Sequence, residues 1–172
     1  MKELSFRTDV LPLKNELFRL ALRITLNWAD AEDVVQETML KVWNRREQWG
    51  QIESMEAFCM TICRNVALDR QKRMENRNES LEDVGHDAPD RSYGANPEEQ
   101  AVQRDKVERV RRLMNRLPEK QRTCMQLRDV EGKAYKEIAE VMGITEQQVK
   151  VNIFRARQTI KQEYLKEEQY GL

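Results

Sequence analysis

Along this chain apolar residues recur every three to four positions, and that helical period stops once, over roughly residues 76–96. A chain patterned this way folds as helices that each bury one stripe, and the single interruption divides those helices into two groups. The 172 residues are enough for one ordinary domain or two small ones. Aromatic residues make up 6% of the chain, with only 6 Gly and 4 Pro, which argues against a β-sandwich or barrel. A balance of 40% hydrophobic to 35% charged residues suits several small cores with solvated faces. The expected fold class is therefore all-α, with two small helical bundles (1–75 and 98–172) joined by a flexible acidic linker (76–97).

In the first bundle, Leu13, Leu17, Leu20, Ala21, Ile24 and Trp28 form one stripe, which predicts a helix over about residues 11–28. Asp30 is placed to cap the next helix, with Glu32 and Asp33 in the first turn, where the dipole favours acids. That helix runs to about Trp43 and is expected to bury Val35, Met39 and Val42. Ser54 caps a third helix with the stripe Met55, Phe58, Cys59, Ile62, Cys63 and Val66.

The interruption NRNESLEDVGHDAPDRSYGAN is polar, acidic and broken by Gly and Pro, and it reads as a tether. Fully stretched, some twenty residues span at most ~70 Å, about two turns of B-DNA. Asn96 and Pro97 mark the next helix start, followed by the stripe Val107, Val110, Leu113, Met114 and Leu117. Pro118 restarts a helix that ends near Gly132; a short helix over 134–142 and a long one from Thr145 to about Lys166 complete the second bundle.

The net charge is zero but unevenly spread. Residues 1–75 balance at 12 basic and 12 acidic, residues 76–105 carry −5, and residues 106–172 carry +5. The basic end is the one expected to meet a phosphate backbone. Residues 135–160 within it have the features of a helix-turn-helix. Ile138 and Met142 share a face, Ala139 is small where helices cross, and Gly143 permits the positive φ of a sharp turn. Thr145 and Gln148 hold capping-box positions, and Val149, Ile153 and Ala156 face the bundle. The opposite face offers Gln147, Lys150, Val151, Asn152 and Arg155, residue types that read base edges, while Arg157 and Lys161 suit phosphates. Without the charge and the cap, two helices joined by a Gly turn would fit plain packing equally well.

Other classes find little support. The one histidine, His86, lies in the tether with no positioned nucleophile, and no glycine loop for phosphates occurs, so no enzymatic activity is expected. Cys59 and Cys63 fall inside an apolar stripe and read as small hydrophobes, so neither a metal nor a cofactor is expected. The amino terminus lacks an apolar core and no run of about eighteen apolar residues occurs; a cytoplasmic location without membrane insertion is expected. Three cysteines without a disulfide framework fit that compartment.

Three segments carry a more specific signal: ADAEDVVQETMLKVW, EAFCMTICRNVALDRQKR and LPEKQRTCMQLRDVEGKAYKEIAEVMGITEQQVKVNIFRAR. In that order they resemble successive regions of a bacterial RNA polymerase sigma factor, and the short two-part chain resembles the extracytoplasmic-function (ECF) class. The resemblance implies that residues 1–75 are a region 2-like unit that grips core polymerase and opens the promoter −10 element. Asp33, Gln36 and Glu37 match the motif that docks on the β′ clamp helices, although in an unrelated chain they would be a solvated face. Asn65 matches a −10-contacting position, and loop 45–53 matches the segment that captures a flipped base, with Trp49 as a candidate stacking platform or plain packing.

The second bundle would be the region 4-like unit that reads the −35 element and contacts the β flap. Lys150, Val151, Phe154 and Arg155 fall where family members contact DNA, with Asn152 beside them. Gln148, Val151 and Asn152 replace the family's usual Thr, Ser and Arg, which points to a different preferred −35 sequence. Phe58 and Met39 replace the common Trp and Phe, apolar swaps that leave packing intact. The tether would either enter the RNA-exit channel or remain disordered polypeptide. An anti-sigma protein is a further implied partner. The rival readings are a stand-alone helix-turn-helix regulator, which would ordinarily dimerise and leaves the first bundle unexplained, and a protein-interaction module, which gives the basic surface no purpose.

Overall fold

The computed structural model describes residues 3–77 and 97–170. The expected tether, its His86 and the cap Asn96 lie outside the described residues. Every regular element among the described residues is helical, as the period predicts. None of these helices is long and apolar enough to cross a membrane.

A π-helical turn (Phe6–Val10) and a 3-10 turn (Leu11–Leu13) lead into α1 (Lys14–Thr25). The helix expected to reach Trp28 stops earlier. Leu26 adopts the left-handed region at φ 56°, and its N–H bonds the Leu22 carbonyl, which closes α1. Trp28 instead opens α2 (Trp28–Asn44), half exposed and edge-on to Phe18 at 4.6 Å. The α2 cap is Asn27, not Asp30: the Asn27 side chain accepts from the Asp30 N–H at 3.0 Å, which leaves Asp30 as the acid of the first turn. Val35 and Val42 are buried as expected, while Met39 is only half-buried. A 3-10 turn (Arg46–Gln51) connects to α3 (Met55–Asn76), which Ser54 caps through the Ala57 N–H. Leu17, Leu20, Ala21 and Ile24 of α1 meet Val34, Val35 and Val42 of α2 and Cys59, Cys63 and Val66 of α3 in a buried cluster.

The second unit comprises α4 (Pro97–Asn115), α5 (Glu119–Met125) running into a π-helical turn (Gln126–Val130), α6 (Tyr135–Met142) and α7 (Glu146–Gln169). Leu113, Met114, Leu117, Ala156 and Ile160 form a satellite core between α4 and α7. Val107, expected in that stripe, is half exposed.

The two units do not stand apart. α6 packs along α3, α5 packs against α1, and Cys124, Leu127, Ile138 and Ile153 join the same core cluster as the first unit. Each fully buried Leu or Ile contributes about 1.5–3 kcal/mol relative to exposure, so a shared core of this kind holds the units together in the free chain. This packing also explains why α3 buries Ala57, Met60, Arg64 and Ala67, outside its own predicted stripe.

Candidate DNA and polymerase interfaces

The turn between α6 and α7 is built from three local choices. Gly143 ends α6 in the left-handed region at φ 67°, where a side chain would be strained. Ile144 N–H bonds the Ala139 carbonyl at 3.1 Å. Thr145 then accepts from the Gln148 N–H at 3.1 Å while Gln148 Oε1 accepts from the Thr145 N–H at 2.9 Å, a complete capping box. The Gln148 amide is thereby committed to the cap. Val149, Ile153 and Ala156 are buried, and that fixes which face of α7 looks outward.

On the outward face Lys150, Phe154 and Arg155 are exposed, and Val151 and Asn152 are half-buried. Phe154 leaves 64% of its surface open, a large apolar side chain with nothing of its own unit to cover it. Lys150 Nζ sits 5.4 Å from the Tyr135 ring, which also carries the Arg128 guanidinium at 4.2 Å. Asn152 donates its amide to the Gln148 carbonyl at 2.8 Å, so its nitrogen is engaged within the helix. Arg157, expected at phosphates, is instead held by both oxygens of Asp129 on the π turn. Arg155 forms no ion pair among the described residues.

On α2, Asp33 and Gln36 are exposed and Glu37 is half-buried, 3.6 Å from Lys41 Nζ. Arg70 of α3 reaches across to Asp30 and Asp33, each at 3.0 Å, and pins the start of α2 to α3. One and two turns beyond Gln36 the same face carries Leu40 and Trp43, exposed by 64% and 45%. The sequence reading missed this apolar patch. Its signal was a Leu and a Trp continuing the polar face at helical spacing.

Loop 45–53 and α3 enclose a cavity of about 420 Å³ lined by Arg45, Gln51, Ile52, Glu53, Phe58, Thr61, Ile62, Asn65 and Glu140. Its size lies within the ordinary range of small-ligand pockets, about 300–1,000 Å³. Asn65 is exposed at its edge. Trp49 is not among the lining residues: it is buried, and its indole N–H donates to the Val42 carbonyl at 3.1 Å. The stacking-platform expectation for Trp49 is therefore replaced by packing. Glu140 comes from α6, so the second unit forms part of this cavity's wall. Burial pushes the Cys59 and Cys63 thiols up to about 12 and Cys124 to about 11, so all three stay protonated at neutral pH.

A capped, outward-facing second helix after a glycine turn defines a helix-turn-helix protein, here packed on a bundle with its own open cavity and an acidic, exposed α2 face. The family model for sigma-70 region 2 matches residues 10–78, and that for sigma-70 region 4 matches residues 107–160. Over 146 residues the chain is 30% identical to the ECF RNA polymerase sigma factor SigL of Mycobacterium tuberculosis, covering 84% of this chain and 80% of that one. It is 29% identical over 162 residues to the RNA polymerase sigma-H factor of Pseudomonas aeruginosa, with 91% and 84% covered. To the probable RNA polymerase sigma factor RfaY of Xanthomonas campestris pv. campestris it is 30% identical over 155 residues, spanning 38% of that protein's length. The solved structure of the sigma factor RpoE in complex with the anti-sigma factor NepR from Bartonella quintana shares the fold, with a TM-score of 0.73, 22% identity, and 94% and 96% of the two chains covered. This chain belongs to the ECF sigma factors of the sigma-70 family.

Proposed function

We propose that this protein binds core RNA polymerase and directs transcription initiation at its own set of promoters, acting as an initiation factor and not as a catalyst. The observation that carries the reading is the α7 face: Lys150, Val151, Asn152, Phe154 and Arg155 presented outward from a rigidly capped helix. They would enter the major groove of the −35 element, with the N-terminal half of α7 nearest the bases. Arg155 is the candidate for a two-pronged guanine contact, and Phe154 for a thymine methyl. Arg155 and Lys150, both exposed, are favoured as the polar readers over the half-buried Asn152, which spends one N–H on the Gln148 carbonyl.

Asn65 and the cavity beneath loop 45–53 would receive the −10 strand. Asp33, Gln36 and Glu37 would dock on the β′ clamp helices, and the second unit would contact the β flap. The functional division is 1–75 for the polymerase and −10 unit, 76–97 for the linker, and 98–172 for the −35 unit. The fold shared with a sigma factor held by an anti-sigma factor supports a partner of that kind. A cytoplasmic location follows from the same role.

Run-off transcription with purified core polymerase tests this directly. Promoter-dependent transcript appears only when the protein is added if the reading holds. Its absence, or repression of a pre-existing transcript, would make the chain a stand-alone regulator.

A further inference from the structure

We propose that Arg70 of α3 is a positioning residue for polymerase docking: its guanidinium holds the Asp33 carboxylate in one orientation on the α2 face. This role rests on the placing of the docking residues at Asp33, Gln36 and Glu37 given under Proposed function.

Asp30 and Asp33 stand three residues apart, so one helical turn brings both carboxylates to neighbouring places on α2. Arg70 meets them there. Its Nε donates to Asp30 Oδ1 at 3.0 Å, and its Nη2 donates to Asp33 Oδ2 at 3.0 Å. The two acids differ in exposure: the Asp30 side chain is 17% exposed and the Asp33 side chain 56%. Asp30 is therefore the anchor, and Asp33 is held yet open to a partner. An ionised carboxylate accepts about four hydrogen bonds, so the bond from Arg70 leaves Asp33 with room for an incoming donor.

The groups around Arg70 are fixed in turn. Gln71, next in sequence, donates its amide to the Ile24 carbonyl at 3.0 Å and ties this level of α3 to the end of α1. The Asp30 N–H is capped by Asn27 at 3.0 Å. The neighbouring acid Glu32 accepts the Trp28 indole N–H at 2.9 Å. A planar guanidinium bonded through two of its nitrogens keeps its orientation, whereas an ammonium on one contact would swing. Arg73, one turn on, pairs instead within α3 with Asp69.

An unrestrained aspartate on a helix surface divides its time among the staggered χ1 wells that the helix allows. Ordering it at the moment of docking costs affinity, and a carboxylate ordered beforehand avoids that cost. Charge acts in the opposite direction. Arg70 offsets part of the acidity of this face, so its removal strengthens attraction for a basic partner. A loss of affinity on removing Arg70 thus reports positioning and not charge.

The test is a double-mutant cycle in the full chain, with affinity for core RNA polymerase titrated at about 0.15 M salt. R70A should weaken binding about two- to fivefold while Asp33 is present. In the D33A background it should have no further effect, because nothing is left to position. R70K keeps the charge but cannot fork between two acids, and should fall between wild type and R70A. Melting temperatures and −35 duplex binding identify any variant that has lost its fold, and R70K supplies the same cycle if R70A is one of them. An equal loss in both backgrounds makes Arg70 only a tie between α2 and α3 and overturns the role. Unchanged or tighter binding by R70A does the same. A D33A chain that binds core as tightly as wild type removes Asp33 from the docking face and the role with it; promoter-dependent run-off in that case leaves the initiation reading standing.

Discussion

Two arginines two positions apart on α7 show how local partners divide roles. Arg157 is held by Asp129, whereas Arg155 is exposed with no ion pair among the described residues. Arg155→Ala should therefore weaken −35 recognition by about 1–3 kcal/mol, read as binding across variant −35 duplexes. Arg157→Ala removes a half-exposed ion pair and should cost about 0.2–1 kcal/mol of folding stability with little change in base preference. Equal loss of discrimination in both would erase the distinction. Glu137 offers a second residue-scale test. Burial, then the neighbouring carboxylates Glu56, Glu16 and Glu140, push its pKa up, against the pull of Lys133. A carboxyl raised in the folded state favours folding least when it is ionised, so its cost is present at neutral pH and vanishes below the unfolded pKa of about 4.3. Glu137→Gln should raise the melting temperature at pH 7, and the gain should fade as pH drops through that range. A gain independent of pH would mean that the substitution acts by packing.

At the scale of elements, the turn into α7 is the most exacting piece of local structure. Thr145→Ala removes the hydroxyl half of the capping box and should cost about 1 kcal/mol in denaturant unfolding. It should also weaken −35 binding, since the first turn of α7 carries the readers. This turn was fully legible in the sequence, because Gly143, Thr145 and Gln148 are residues whose chemistry is local. The start of α2 was not. Leu26 is an ordinary apolar residue, and nothing in its side chain announces a left-handed backbone. The boundary was consequently placed near Asp30, when Asn27 and Leu26 divide the two helices. For Trp49 the sequence left a stacking platform and plain packing both open. Its neighbours Gln48, Gly50 and Gln51 read as a solvated loop, and only the fold shows the indole reaching the Val42 carbonyl. The second buried flank of α3 includes Arg64, held by Glu119 of α5 some fifty-five residues away, and no local pattern encodes that contact.

For the molecule as a whole, the proposed polymerase-docking face and the seam between the two units are different surfaces, which makes their roles separable by experiment. α2 packs chiefly on α1 and α3, while the seam is made by α1 and α3 against α5 and α6. The proposed docking residues Asp33 and Gln36 therefore lie away from the seam, on the face that also carries the exposed Leu40 and Trp43. The double variant D33N/Q36A should lower affinity for core polymerase in a titration, while the radius of gyration and −35 duplex binding stay as in the wild type. Asp33 also pairs with Arg70, yet Asp30 holds the same guanidinium at 3.0 Å, so α2 remains tied to α3 and the fold should survive. Unchanged core affinity would move the docking site elsewhere on the first unit. A variant that lost core binding and also expanded in small-angle scattering would show that the substitutions disturb the packing of the two units, against the geometry of α2.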